Sequence, residues 1–207
     1  MLNKEHEILK PFVESPWRRF TFNEIKEYSK KKSDSYIFSV LKKFVKENAL
    51  REEKAGNVVL YKLNLDSEKG SMYAGMVSGH LAWNRKNIPY EELELRLMAK
   101  LPEIFFIFLV TGSYASGKQT KKSDLDVVII CDDSYEPKKI YAELKHYAET
   151  SIPPVHLYAF RRNEFLKMLL DKEANYGKEI AKNNLILTGG GEYFRIISEA
   201  IKNGFNG

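Results

Sequence analysis

Ile8, Leu9, Phe12 and Val13 recur at helical spacing and stop before Pro16, which predicts a short one-sided helix. Thr21, with Glu24 three residues on, has the form of a capping box. It opens a helix through Lys30 with Ile25 and Tyr28 turned inward. Ser33 can cap a third helix over 34–48, where Ile37, Val40, Leu41, Phe44 and Val45 make the apolar stripe. Ser35, Ser39, Lys42, Lys43 and Lys46 fall largely outside that stripe. The period then drops to two, and residues 50–54 and 57–63 read as strands around Ala55-Gly56-Asn57.

Residues 66–102 form a helical connector. Met72, Tyr73, Met76 and Leu81 offer packing over 71–86, and Pro89 suits the start of a helix through Lys100 carrying Leu93, Leu95, Leu97 and Met98. His80 and Trp83 read as packing residues. Residues 104–111 are continuously apolar, as in a strand buried on both faces, and a second such strand covers 124–131. A third candidate strand spans 152–160 and a short one 184–188. Helices are expected over 135–149, with Tyr141, Leu144 and Tyr147 on one face, and over 163–183, with Phe165, Leu166, Leu169 and Leu170 inward. Gly189-Gly190-Gly191 reads as a turn before a last helix at 192–203. The pattern is α/β (α+β): a helical module with a hairpin over 1–65, the connector, and a small mixed sheet flanked by helices over 103–207.

Composition narrows the classes. Of 207 residues, 43% are hydrophobic and 29% charged, which excludes disorder as a description of the chain. No apolar run approaches the roughly 20 residues of a membrane span, and the opening Met1-Leu2-Asn3-Lys4-Glu5-His6 has no apolar signal core. The lone cysteine, Cys131, excludes an intrachain disulfide framework or a cysteine-based zinc finger. Cytoplasm is the expected compartment. The formal charge of +5 is unevenly spread: residues 1–65 hold 14 Lys+Arg against 9 Asp+Glu, and the rest holds 19 of each. Such asymmetry points to an anion-facing first third, with nucleic acid the first partner to consider and a Lys-rich solvated surface the plainer one.

Three helices and a hairpin within sixty residues resemble the winged helix-turn-helix family of DNA-binding domains. That resemblance implies that the third helix enters the major groove of double-stranded DNA, with Ser35, Tyr36 and Ser39 nearest the base edges. Lys42, Lys43, Arg51, Lys54 and the run Lys30-Lys31-Lys32 would face phosphates. Glu52 and Glu53 stand in the hairpin, where that role would favour bases.

The two apolar strands flank Gly112-Ser113-Tyr114-Ala115-Ser116-Gly117 and Ser123-Asp124-Leu125-Asp126. Asp124 and Asp126 project to one side of a strand, and two such carboxylates repel unless a cation holds them. Mg2+ takes oxygen ligands, commonly one or two carboxylates together with substrate phosphates. Gly112 permits a close backbone approach and Ser113 supplies a hydroxyl for phosphate oxygens, while Lys118, Lys121 and Lys122 add positive charge.

Gly-Ser, ten residues, then Asp-x-Asp in an apolar strand is similar to the DNA polymerase β-type nucleotidyltransferase superfamily, and to its minimal prokaryotic members in particular. The resemblance covers about residues 90–207. It implies attack by an acceptor hydroxyl on the α-phosphorus of a nucleoside triphosphate, with ATP expected and Mg2+ as cofactor. Asp124 and Asp126 would bind the metal, and Gly112, Ser113, Lys118 and Ser123 the nucleotide. Members of this kind pair with small helical toxins, so a protein partner or acceptor is also implied. Two positions depart from the pattern. Ser116 stands where an Arg is frequent, and the strand expected to bring a third carboxylate has His156 instead, with Glu164 just beyond. His156 can orient or deprotonate an attacking hydroxyl but is a poor Mg2+ ligand. Two outcomes stay open: a transferase coupled to a DNA-binding module, or a DNA-binding regulator whose second domain binds nucleotide without transferring it.

Overall fold

The computed structural model describes residues 4–31, 33–101 and 106–207. The expectations for Lys32, for Ile104 and Phe105, and for the opening Met1, Leu2 and Asn3 lie outside the described residues, as does the 102/103 boundary. The chain forms two compact units: Met1–Ser78 with Gly191–Gly207, and Gly79–Gly190. Among the described residues, no helix is long and apolar enough to cross a membrane.

The first unit contains α1 (His6–Glu14), β1 (Phe20–Thr21), α2 (Phe22–Ser29), α3 (Asp34–Lys46), β2 (Leu50–Ala55) and β3 (Val58–Leu63). Its strands form an antiparallel sheet in the order β1-β3-β2. Ala55 pairs with Val58, which leaves Gly56-Asn57 as a two-residue turn with Gly56 at φ 60°. Both expected caps form. Glu24 N donates to Thr21 Oγ1 (3.3 Å) while Thr21 N donates to Glu24 Oε2 (2.7 Å), and Tyr36 N donates to Ser33 Oγ (3.3 Å). Ile8, Leu9, Phe12, Phe20, Ile25, Ile37, Leu41 and Phe44 are wholly buried. Tyr28 differs from expectation: it is half exposed, its ring edge-on to Phe20.

Residues 191–207 fold with this unit, whereas the sequence pattern assigned them to the second domain. The helix α10 (Gly190–Lys202) buries Tyr193, Phe194, Ile196, Ile197 and Ala200 along one face. Trp17 meets Phe205 edge-on at 5.2 Å, Ser198 Oγ donates to Leu65 O, and Lys202 pairs with Asp66 at 2.7 Å. Spacing along α10 revealed an apolar face but not what that face would cover.

The second unit is built on a four-stranded mixed sheet in the order β6-β5-β4-β7, from β4 (Phe106–Thr111), β5 (Leu125–Cys131), β6 (Val155–Arg161) and β7 (Asn184–Thr188). Only β5 and β6 run parallel. One face packs Phe108, Val110, Val127, Ile129, Leu185 and Leu187 with Ile140, Leu144 and Ala148 of α7 (Pro137–Thr150) and with Leu93 and Leu97. The other face carries Leu109, Val128, Ile130 and Ile186, all buried, beside α8 (Arg162–Leu170) and α9 (Tyr176–Lys182).

Several elements differ from the sequence pattern. The inward stripe of α7 is Ile140, Leu144 and Ala148 at i, i+4, i+8, and Tyr141 is exposed. The expected helix 163–183 is two helices, because Asn175 leaves the helical path and caps α9 through Lys178 N (3.2 Å). Leu170, at the end of α8, is partly exposed. The helix α4 spans Glu68–Trp83, and residues 90–100 are a single turn, α5 (Tyr90–Glu92), followed by a π turn and a 3-10 turn, which leaves Leu95 71% exposed.

Removing the α2 cap with Thr21→Ala should destabilise the full chain by about 1 kcal/mol in denaturant unfolding. A loss within experimental error contradicts the capping account.

Candidate functional site

Four strand ends meet at one end of the second sheet. Thr111 closes β4 beside Asp126 near the start of β5, Asp126 stands beside His156 on β6, and Thr111 is also paired with Asn184 of β7. Because side chains alternate, Asp126, Val128 and Ile130 share a face with His156, Tyr158 and Phe160. That face is apolar except at this end.

The chain leaves β4 through the one-turn helix α6 (Gly112–Ser116). Gly112 sits at φ 67°, and a Cβ there would fall on Asp126 Oδ2, only 3.1 Å from its Cγ. Glycine suits the backbone angle, and a Cβ there would push the Asp126 carboxylate out of its present position. Asn183 fastens the junction: Thr111 Oγ1 donates to Asn183 O (2.6 Å), and Asn183 Nδ2 donates to Gly112 O (2.8 Å). Ser113 follows, half-buried, its hydroxyl without a hydrogen-bond partner among the described residues.

The Asp126 side chain is 26% exposed and accepts no hydrogen bond among the described residues. His156 Nδ1 lies 3.8 Å from its Oδ1, beyond hydrogen-bond range. Burial pushes the Asp126 carboxyl above its usual range; His156 draws it back and Asp124 pushes it further. Asp124 is exposed and lies one residue before β5 rather than within it. Lys118 is exposed, and its backbone N donates to Ser113 O (2.9 Å). Ser123 Oγ accepts from Thr120 N (2.9 Å) and lies 3.2 Å from Thr120 Oγ1, so it closes the loop that delivers Asp124.

Two residues at this site gave little signal in sequence. Tyr158 lies two residues beyond His156 on the same face, and Tyr176 packs against it with ring centroids 4.7 Å apart. The Tyr176 hydroxyl is buried, and burial, Tyr158 and Asp126 all raise its pKa. Strand alternation could have placed Tyr158. Nothing local marks Tyr176.

Glu164 does not complete the site. It caps α8, accepting from Arg161 N (2.7 Å), at the end of β6 where Arg161 pairs with Cys131. That is five residues along the strand from His156, roughly 16 Å at the usual rise. Among the described residues, no group of three or more His, Cys, Asp or Glu side chains is placed to share a metal ion. The pair Asp124 and Asp126 nonetheless suits Mg2+: a half-buried carboxylate short of donors, pushed toward protonation chiefly by burial, gains most from a hard cation.

In the first unit, Ser35, Ser39, Lys42, Lys43, Arg51 and Lys54 are exposed and Tyr36 is half-buried. Ser39 Oγ donates to Tyr36 O (2.8 Å), and Ser35 Oγ lies 3.1 Å from Ser33 Oγ. Lys42 pairs with Glu52 (3.1 Å), Lys43 with Glu5 (2.8 Å) and Arg51 with Asp66 (3.0 Å), whereas Lys54 has no ion pair among the described residues. Phe38 is half exposed on the same helix, and Lys42 Nζ sits 5.5 Å from its ring centroid.

A family model described as "Nucleotidyltransferase domain" matches residues 100–187. A solved structure described as "Crystal structure of the toxin-antitoxin with AMP-PNP" is similar at 18% identity and a TM-score of 0.39, over 54% of this chain and 86% of its own. No curated protein matches the sequence.

Gly112→Ala should displace Asp126 or the turn and destabilise the protein by more than about 1 kcal/mol, because it adds both a positive-φ penalty and a clash. An unchanged denaturation midpoint contradicts the close approach. Because the folded-state pKa of Asp126 is raised, ionising it weakens the fold. Asp126→Asn should therefore raise the melting temperature at pH 7 in metal-free buffer. The gain should shrink as the pH falls and vanish below the ordinary aspartate range. A variant that is equally stabilised in acid contradicts that electrostatic origin.

Proposed function

We propose that the second unit transfers a nucleoside monophosphate from a nucleoside triphosphate, ATP first, to a hydroxyl group. The observation that carries this reading is the closure of Gly112 on Asp126, which brings the Gly-Ser turn and the Asp-x-Asp carboxylates to one end of the sheet. The match of the nucleotidyltransferase family model to residues 100–187 supports it. Asp124 and Asp126 would hold Mg2+, which when bound neutralises phosphate charge. Gly112 and the Ser113 hydroxyl receive the outer phosphates, with Lys118 adding charge at the rim and Ser123 holding the loop. The acceptor oxygen forms a bond to the α-phosphorus, the bond from that phosphorus to the bridging oxygen breaks, and pyrophosphate leaves. His156, next to Asp126 and largely exposed, takes the acceptor's proton.

Purified full chain with Mg2+ and labelled triphosphates should release pyrophosphate in the presence of an acceptor panel. Asp126→Ala should lower that rate on the order of 10²–10³-fold, and His156→Ala by about 10²-fold or more. If Mg2+ and nucleotide bind but nothing is turned over, the domain is a sensor. That second reading is favoured by one observation, the histidine at the strand position beside Asp126 with no third acid placed there among the described residues.

For the first unit we propose a winged helix that binds duplex DNA through α3 and the β2–β3 hairpin, supported by the order of its elements and by the basic excess of residues 1–65. The ion pairs of Lys42, Lys43 and Arg51 are surface pairs worth roughly 0–1 kcal/mol each, which phosphates can replace. Affinity for a duplex should fall steeply with salt, and replacing Lys42, Lys43 and Lys54 by alanine should reduce the slope of log K against log salt by about three. Salt-independent binding, or an unchanged slope, removes the DNA reading.

A further inference from the structure

The helical turn that carries Gly112 and Ser113 is short. Following backbone amides close two of its carbonyls, Lys118 N donating to Ser113 O (2.9 Å) and Gly117 N to Tyr114 O (3.3 Å), but helix nucleation is unfavourable at this length and Ala115 O is left for another donor. Within the second unit, the carbonyl end of α6 is met by the segment that follows Trp83. Asn87 Nδ2 donates to Tyr114 O (2.9 Å) and to Gln119 Oε1 (3.0 Å), joining the helix end to the loop that leads to Asp124. Arg85 Nη2 donates to Ala115 O.

This segment is itself fixed. The Tyr90 hydroxyl accepts from Arg85 N (2.9 Å) and lies 2.8 Å from Arg85 O. The Tyr90 ring stacks on Trp83 at 5.0 Å, and Trp83 Nε1 donates to Leu187 O (2.9 Å) on β7. The chain from the sheet to Trp83, Tyr90, Arg85 and Asn87 therefore ends on the turn after the Gly-Ser pair.

Arg85 has a second property. It is partly buried, has no acidic partner within ion-pair distance among the described residues, and its Nε is buried without an acceptor. A guanidinium withdrawn from water and left without a counter-charge favours an anion close by. The turn it braces contributes no cation of its own between Gly112 and Gly117.

We propose that Arg85 and Asn87 are positioning residues for the triphosphate: Asn87 fixes the turn and loop that present Ser113 and Asp124, and Arg85 both holds the turn and supplies the positive charge that the turn lacks. This rests on the nucleotide-binding reading given above, and it assigns part of the triphosphate selectivity to a segment that precedes the Gly-Ser motif.

The test is titration of the full-length protein with ATP and with AMP in Mg2+, for the wild type and for Arg85→Ala, Arg85→Lys and Asn87→Ala, with folding checked by circular dichroism. Arg85→Ala should weaken ATP about tenfold and AMP much less, because only the outer phosphates meet the added charge. Arg85→Lys, which keeps charge without the fork, should recover part of that loss. Asn87→Ala should cost ATP about threefold to tenfold, in line with one lost buried hydrogen bond. Wild-type protein that binds neither nucleotide overturns the functional reading and this inference together. Wild-type binding with unchanged ATP affinity in all three variants overturns the inference alone. Equal losses for ATP and AMP would assign the segment a purely structural role and also overturn it.

Discussion

The candidate site in the second unit depends on the close approach of the Gly112 backbone to the Asp126 carboxylate. Gly112 turns the chain out of β4 with its Cα against the Asp126 carboxylate, and any Cβ there would occupy the place of Oδ2. The consequence is chemical as well as steric. The carboxylate is enclosed on one side by backbone, receives no hydrogen bond among the described residues, and is held above its ordinary pKa by burial and by Asp124. A carboxylate so placed costs the fold stability and stands ready for a cation. The Thr111–Asn183–Gly112 clasp keeps the turn from relaxing away from it. Stability is given up at the end of an otherwise apolar sheet, which is the usual signature of a functional position.

Much of this was legible in the residues. The apolar runs of β4 and β5, the Gly-Ser pair and Asp-x-Asp fix which chain ends must meet, because adjacent antiparallel strands leave little choice of register once the carboxylates lie at one end. The resemblance to the nucleotidyltransferases put His156 on the next strand close to the carboxylates, and it stands beside Asp126. What was not legible depends on partners distant in sequence. Tyr176 reaches Tyr158 only because α8 ends early and Asn175 restarts the helix. Arg85 and Asn87 read as polar residues in a connector until their donors are seen on Tyr114 and Ala115. The inward face of α7 shows the same limit: Tyr141, Leu144 and Tyr147 fit a helical spacing, but Ile140, Leu144 and Ala148 fit the sheet.

In the first unit, local signals carried far. Both caps were written in Thr21 and Ser33 and the hairpin in Ala55-Gly56-Asn57, though the turn is one residue shorter because Ala55 pairs with Val58. Charge was less transparent. A net excess of +5 in the first third pointed to an anion-facing surface, and in the fold Lys42, Lys43 and Arg51 stand against Glu52, Glu5 and Asp66. Net charge sums over partners that geometry brings together, so it reports what a surface attracts at long range and not which ammonium is unpaired. The return of residues 191–207 to this unit is of the same kind, an amphipathic face whose cover no local pattern names.

The central claim is that one end of the second sheet is a joint site for a divalent cation and a triphosphate. Titrating Mn2+ with ATP into isotope-labelled full-length protein tests it directly, because the paramagnetic ion broadens amide signals near it. The account predicts broadening centred on Gly112, Ser113, Asp124, Asp126 and His156, lost in Asp126→Ala. Broadening that is scattered over other acidic surfaces, or that persists unchanged in Asp126→Ala, would contradict it.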